Sequence, residues 1–149
     1  MMLLQTSRFG ALEIQRNDVY DFQQGIPGFK DLHKYMLIEI DDSPFKYLQS
    51  VDNGELSFIV VSPFEFFENY EFILPQEVQT ILDIEDEKQV RILNIISIRE
   101  ELASATINLA APIVMNTERM KGMQYILPDG SYSIHQPLFN AIEVVKGGQ

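Results

Sequence analysis

The chain has 149 residues, 46% of them hydrophobic, with no cysteine and a formal charge of −11. A chain of that length supports one domain around one core, burying roughly two-thirds of its unfolded surface, and the missing thiols exclude a disulfide framework and a thiolate metal site. No apolar run approaches the ~20 residues of a membrane helix, and the N-terminus lacks the basic and apolar regions of a secretion signal, so a soluble cytoplasmic protein is expected.

The elements follow from periodicity, in chain order. Strands are expected at Leu3 to Phe9, Leu12 to Arg16 and Val19 to Phe22. Gly25-Ile26-Pro27-Gly28 then reads as a stiff corner. Glycine tolerates positive φ, proline fixes its own φ, and the residue before proline is pushed to extended backbone. The corner should lead into a single helical turn at Phe29 to His33 and a strand at Met36 to Ile40. Alternation resumes at Phe45 to Val51 and Leu56 to Val61, separated by Asp52-Asn53-Gly54-Glu55. Asn-Gly between alternating runs predicts a hairpin closed by a type I′ turn. Pro75 to Leu82 is the one clear helix, with proline at its start and Val78, Ile81 and Leu82 on one face. Val90 to Ile98 reads as a strand buried on both faces. Its Asn94 interrupts the apolar row and is expected to bond neighbouring backbone as a structural residue. Further strands are expected at Thr106 to Ala110, Ile113 to Met115, Met123 to Leu127 and Tyr132 to His135, with a turn at Asp129-Gly130. Many short strands at close spacing predict a mostly β protein. The fold is a small antiparallel β-barrel or sandwich-like single domain over residues 1–145, with one or two short helices and a fraying tail at 146–149.

Charge is unevenly spread. From Glu39 to Glu87 there are thirteen carboxylates and one base, Lys46, so the middle third holds the whole excess of negative charge. Such a field opposes nucleic-acid phosphates, which proteins meet with Lys and Arg, and favours encounter with a basic partner. Acidic loops that only maintain solubility give the same count. Catalytic patterns are absent. His33 and His135 stand far apart with no H-E-x-x-H, G-x-S-x-G or phosphate-cradling glycine loop. Asp41-Asp42 and the run Asp83 to Glu87 lack the alternating ligands and central glycine of a calcium loop. Neither a metal nor a cofactor is expected. The stretch Ser62 to Leu74, SPFEFFENYEFIL, is too aromatic for an ordinary loop. Some rings must fill the core. In extended chain Phe66 and Phe67 point opposite ways, and a ring left outside among Glu65, Glu68 and Glu71 would suit a basic, amphipathic partner segment.

GIPGF, then SPFKYLQSVDNGELSFIVVSPFEFFENYEFIL, INLAAPIVMN, KGMQYIL and QPLF resemble, in order and over nearly the whole chain, the signature blocks of the flagellar assembly factor FliW family. The resemblance implies a non-enzymatic, β-barrel-like cytoplasmic protein that binds flagellin and the translational regulator CsrA. Flagellin leaving the cell would then release the protein to sequester CsrA, allowing flagellin translation to resume. It further implies no direct nucleic-acid or membrane binding, and a monomer is expected when the protein is free. The chain departs from the family pattern at Lys121-Gly122-Met123-Gln124 and at His135-Gln136-Pro137-Leu138, so partner contacts are expected in the middle third. They are Phe45, Tyr47, Gln49, Ser50 and Asp52 on the first hairpin strand and turn, and Phe66, Glu68, Tyr70 and Glu71 on the aromatic loop. Tyr47 and Gln49 have an inward orientation as their alternative. A second reading is a ligand-binding or hydrolytic barrel with Asp41, Asp52 or Glu55 as acid and base. It requires a deep pocket with two facing carboxyl groups.

Overall fold

A computed structural model describes residues 2–128 and 130–139. A hairpin of β1 (Met2–Thr6) and β2 (Gly10–Ile14) stands apart from the main sheet. The main sheet begins with β3 (Val19–Asp21), β4 (Lys34–Glu39), β5 (Lys46–Ser50), β6 (Ser57–Val61) and β7 (Val90–Ser97), each antiparallel to the next. The first half of β7 then pairs with β9 (Ile113–Asn116), which pairs with β10 (Lys121–Gln124). β10 meets β3 in parallel at Lys121 and Asp21 and closes the barrel. A ring of seven strands cannot alternate direction throughout, so one parallel seam is forced. Among the described residues no helix is long and apolar enough to cross a membrane.

β7 forks. At eight residues it is longer than β9, and its second half offers the same edge to β8 (Thr106–Ile107), with β11 (Gln136–Pro137) outside it. Alternation sorts its side chains. Leu93 faces the barrel interior with Phe22, Ile26, Tyr35, Leu48, Val60, Ile113 and Met115. Ile96 faces outward into a second core with Val61, Tyr70, Ile107, Leu109 and Leu138. The strand is therefore apolar on both faces, as its sequence predicts. A third cluster lies under α1 (Gln76–Ile81), where Val78 and Leu82 cover Val114 and Met123. Asn116 Nδ2 donates to the carbonyls of Leu82 (2.8 Å) and Asp83 (3.1 Å), satisfying the open end of that helix.

The glycine corner is real, but no helical turn follows it. Gly25 takes φ +68°, and a Cβ there would lie 2.7 Å from Lys30 Cα. The bend folds Ile26 into the core and pairs it with Phe29. Phe22 N–H already donates to His33 O at 2.7 Å, so the chain must re-enter β4 at once, leaving successive turns and no room for a helix. The type I′ turn is likewise replaced. Neither Asn53 nor Gly54 has positive φ, and residues 51–56 form a longer connection, with Leu56 N–H donating to Asn53 O at 3.0 Å. Gly54 is required for a different reason: a Cβ would collide with the carbonyl oxygen of Gln5, and its own carbonyl accepts Ser7 N–H at 3.0 Å. The absent side chain lets the β1–β2 hairpin dock. The strand expected at Tyr132 to His135 is absent, and pairing begins at Gln136 instead, which leaves Tyr132 free to turn its ring inward. Asp129 of the expected turn and the tail at 146–149 lie outside the described residues.

Gly54→Ala should lower stability by about 1–3 kcal/mol, the range for overpacking a close contact, read as a fall in urea midpoint. Tyr35 supplies a pH signature. It is fully buried with a hydroxyl that meets no partner, and burial, with the Asp52 charge adding to it, pushes the phenol up to about 12. Unfolded tyrosine titrates near about 10. The unfolded chain therefore loses this proton first, and the contribution to stability is complete below that pH and lost as pH climbs toward the folded value. Tyr35→Phe should flatten the alkaline fall of the urea midpoint and leave the neutral value equal or higher, because an orphaned hydroxyl is removed.

Candidate functional site

The aromatic stretch leaves β6 through Ser62 and a 3-10 turn at Pro63–Glu65, with Pro63 at its first position. Phe67 N–H donates to Pro63 O at 2.8 Å and Tyr70 N–H to Phe67 O at 3.0 Å. The segment is thus coiled on itself, and the extended-chain rule that separates neighbouring side chains does not hold. Phe66 and Phe67 both pack half-buried against the second core. The ring left outside is Phe64, 47% exposed.

Tyr70 anchors the segment. It is 4% exposed, donates to Leu109 O at 2.7 Å, and lies within 3.4 Å of Asn94 Nδ2. Asn94 in turn donates to Asn108 O at 2.8 Å, bonding neighbouring backbone as its sequence context predicts. Burial pushes the Tyr70 phenol up, against the opposing effect of the Asn94 hydrogen bond, and keeps it a neutral donor. Tyr132 packs edge-on against Tyr70 with centroids 4.7 Å apart, and its hydroxyl accepts Glu71 N–H at 3.2 Å.

Tyr132 borders two open clefts. One, of about 660 Å³, is lined by Glu71, Phe72, Ile73, Tyr125 and Leu127; the other, of about 490 Å³, by Phe66, Phe67, Glu68, Tyr70 and Gln136. Ile73 stands 86% exposed beside the first. Glu65, Glu68 and Glu71 are all exposed. The result is an apolar, ring-lined surface with a carboxylate rim. Among the described residues each cleft is lined by one carboxylate, Glu71 in the first and Glu68 in the second. Of the candidate acids, Asp41 and Glu55 are exposed and line neither cleft, and Asp52 is occupied: its Oδ2 accepts N–H from His33 (2.8 Å) and Lys34 (3.0 Å). Asp83 pairs with Lys121, whose hydrogen bond and charge hold that carboxyl below its usual range.

The sequence candidates separate into two places. Phe45, Phe66 and Tyr70 share the second core, with Glu68 and Glu71 at its surface. Tyr47, Gln49, Ser50 and Asp52 lie instead around the docked hairpin. Tyr47 packs edge-on to Phe9 at 5.3 Å with the Arg8 guanidinium over its ring. Gln49 is buried and its Nε2 reaches the carbonyls of Ser50 (3.0 Å), Gly54 (3.3 Å) and Leu56 (3.0 Å). Buried Ser50 accepts Asn53 N–H through Oγ at 2.9 Å. Gln49 and Ser50 are fully buried, and Tyr70 is 4% exposed where it lines the second cleft. Tyr125 and Leu127 belong to the block KGMQYIL and Tyr132 to an expected strand, but no local pattern marks them as lining one surface with Glu71. They reach the site only through the fold, Tyr132 from 61 residues beyond Glu71.

Known proteins give a consistent picture. The family described as FliW protein matches residues 3–138. The chain is 38% identical to a flagellar assembly factor FliW of Caldicellulosiruptor saccharolyticus, covering 88% of this chain and 86% of that one. A protein of the same description from Clostridium novyi is 42% identical, over 93% and 97% of the two chains. A crystal structure of the flagellar assembly factor FliW superposes with a TM-score of 0.87 at 34% identity, covering 93% of this chain and 98% of the other.

Tyr70→Phe tests the anchor. It leaves the buried Leu109 carbonyl without its donor and should cost about 1–3 kcal/mol in thermal or urea unfolding, with the aromatic segment becoming more accessible to protease.

Proposed function

The chain belongs to the FliW family, and from that premise we propose that it is a non-catalytic regulator that binds both CsrA and flagellin, holding CsrA off its messenger when flagellin is scarce. The observation that carries this reading is the carboxylate rim of Glu65, Glu68 and Glu71 around clefts walled by Phe66, Phe72, Tyr125 and Tyr132. An RNA-binding regulator must carry basic surface to hold phosphate. The acidic third steers such a partner toward this face, and the clefts accept apolar anchors that slow its departure. Once bound, the net charge of −11 opposes approach of an RNA backbone to neighbouring surface without covering it.

Surface charges are screened beyond a Debye length of about 8 Å at physiological salt. Association with CsrA should therefore slow as salt is raised. Replacing Glu68→Lys and Glu71→Lys together should lower the low-salt on-rate roughly tenfold and flatten the salt dependence, measured by stopped flow or surface plasmon resonance. Wild-type rates and salt slope in the double variant would remove the acidic rim from the mechanism. Absence of heat on titrating the protein into both CsrA and flagellin would remove the function itself.

A further inference from the structure

Asn53-Gly54 is the only Asn-Gly step in the chain, and the turn it ordinarily builds does not form. We propose that Asn53 is a site of spontaneous deamidation in the folded protein, and that the isoaspartate product releases the β1–β2 hairpin from the barrel. Three asparagines share one local geometry, in which side-chain Oδ1 accepts the N–H two residues ahead: Asn53 from Glu55 (3.0 Å), Asn108 from Ala110 (3.1 Å) and Asn116 from Glu118 (3.0 Å). That bond polarises the amide carbonyl and stabilises oxygen charge developing during attack on Cγ. The nucleophile is the backbone nitrogen of the next residue. At Leu109 that N–H donates to Ser133 O at 3.1 Å and at Thr117 to Gln89 O at 2.8 Å, so both are engaged. Gly54 N–H meets no acceptor among the described residues. Gly54 also lacks a side chain to obstruct the approach, and Asn53 is exposed to water where Asn116 is buried.

The step balances without an added catalyst. Gly54 N gives its proton to water or hydroxide and bonds to Asn53 Cγ; the side-chain nitrogen takes a proton from water, its bond to Cγ breaks and ammonia leaves, closing a succinimide. Water then opens the ring. Attack at the side-chain carbonyl yields aspartate, and attack at the main-chain carbonyl yields isoaspartate, which routes the backbone through an extra methylene. That methylene enters where the hairpin docks. Gly54 O holds Ser7 N–H and Gln49 Nε2, and Gly54 Cα abuts Gln5. A displaced Gly54 loses these contacts together.

The test ages the full chain at neutral and mildly alkaline pH, with peptide mass mapping and labelling by an isoaspartyl methyltransferase. Position 53 should convert at least as fast as in a free peptide of residues 50–57, and ahead of every other asparagine. Conversion slower than in the peptide would show that the fold protects the site and would overturn the assignment. Trypsin cleavage after Arg8 reports hairpin release. It should accelerate in the isoaspartate fraction and stay at the fresh-protein rate in aged Asn53→Gln, which forms no five-membered ring, and in freshly prepared Asn53→Asp, which keeps the Oδ1 acceptor. Equal Arg8 cleavage in fresh and isoaspartate protein would overturn the release.

Discussion

The fork in β7 is the constraint on which the rest depends. One edge of this strand serves β9 and then β8, and Asn94 lies between the last pair with β9, at Leu93, and the first with β8, at Ile96. Backbone groups at such a change of partner are at risk of being orphaned, and a buried orphan costs about 1–3 kcal/mol. The fork is closed by Asn108 N–H donating to Ile95 O at 2.9 Å and by Asn94 Nδ2 donating to Asn108 O at 2.8 Å. An apolar residue at position 94 would pack into the second core but leave the Asn108 carbonyl without that donor. This is why the one amide in an otherwise apolar row is there.

The same junction positions the aromatic segment. Tyr70 reaches Leu109 O one residue beyond the fork and stands within reach of Asn94. The aromatic segment is therefore fastened to the strand that divides the two cores. Its rings then play two parts. Phe66, Phe67 and Phe72 seal the outer core while their edges, with Tyr125 and Tyr132, wall the clefts. Carboxylates find their place by exclusion, since an unpaired acid cannot follow the rings inward without neutralising, and so they gather at the rim. Hydrophobic packing and the electrostatic surface are thus one arrangement seen from two sides.

Much of this was legible in the chain. Alternation located β5, β6 and β7, and the two-sided apolar pattern of β7 correctly implied burial on both faces. Proline and the apolar spacing located α1 within a residue or two. What failed did so because distant contacts overrode local preference. Asn53-Gly54 favours a tight turn, but the β1–β2 hairpin needs a glycine there for clearance, and a longer connection supplies it. Phe29 to His33 has a helical pattern, but Phe22 pairs with His33 first. Phe66 and Phe67 could not be oriented without knowing that Pro63 starts a coiled segment. The residues from the C-terminal third, Tyr125 and Tyr132, stand in expected strands, and Tyr125 in the block KGMQYIL, but only the fold brings them to the loop. Gln49, for which an inward orientation was the alternative, and Ser50 are both buried, and they bond the connection that follows β5.

The parallel seam carries a consequence for biogenesis. β3 ends at Asp21 and its closing partner β10 spans Lys121–Gln124, so the first strand of the ring must wait for one of the last. Joining such remote segments is entropically expensive and slow compared with zipping neighbouring strands. Until β10 arrives, the edge of β3 that it covers has no strand to pair with. The ring therefore closes in one late step, when β10 reaches β3.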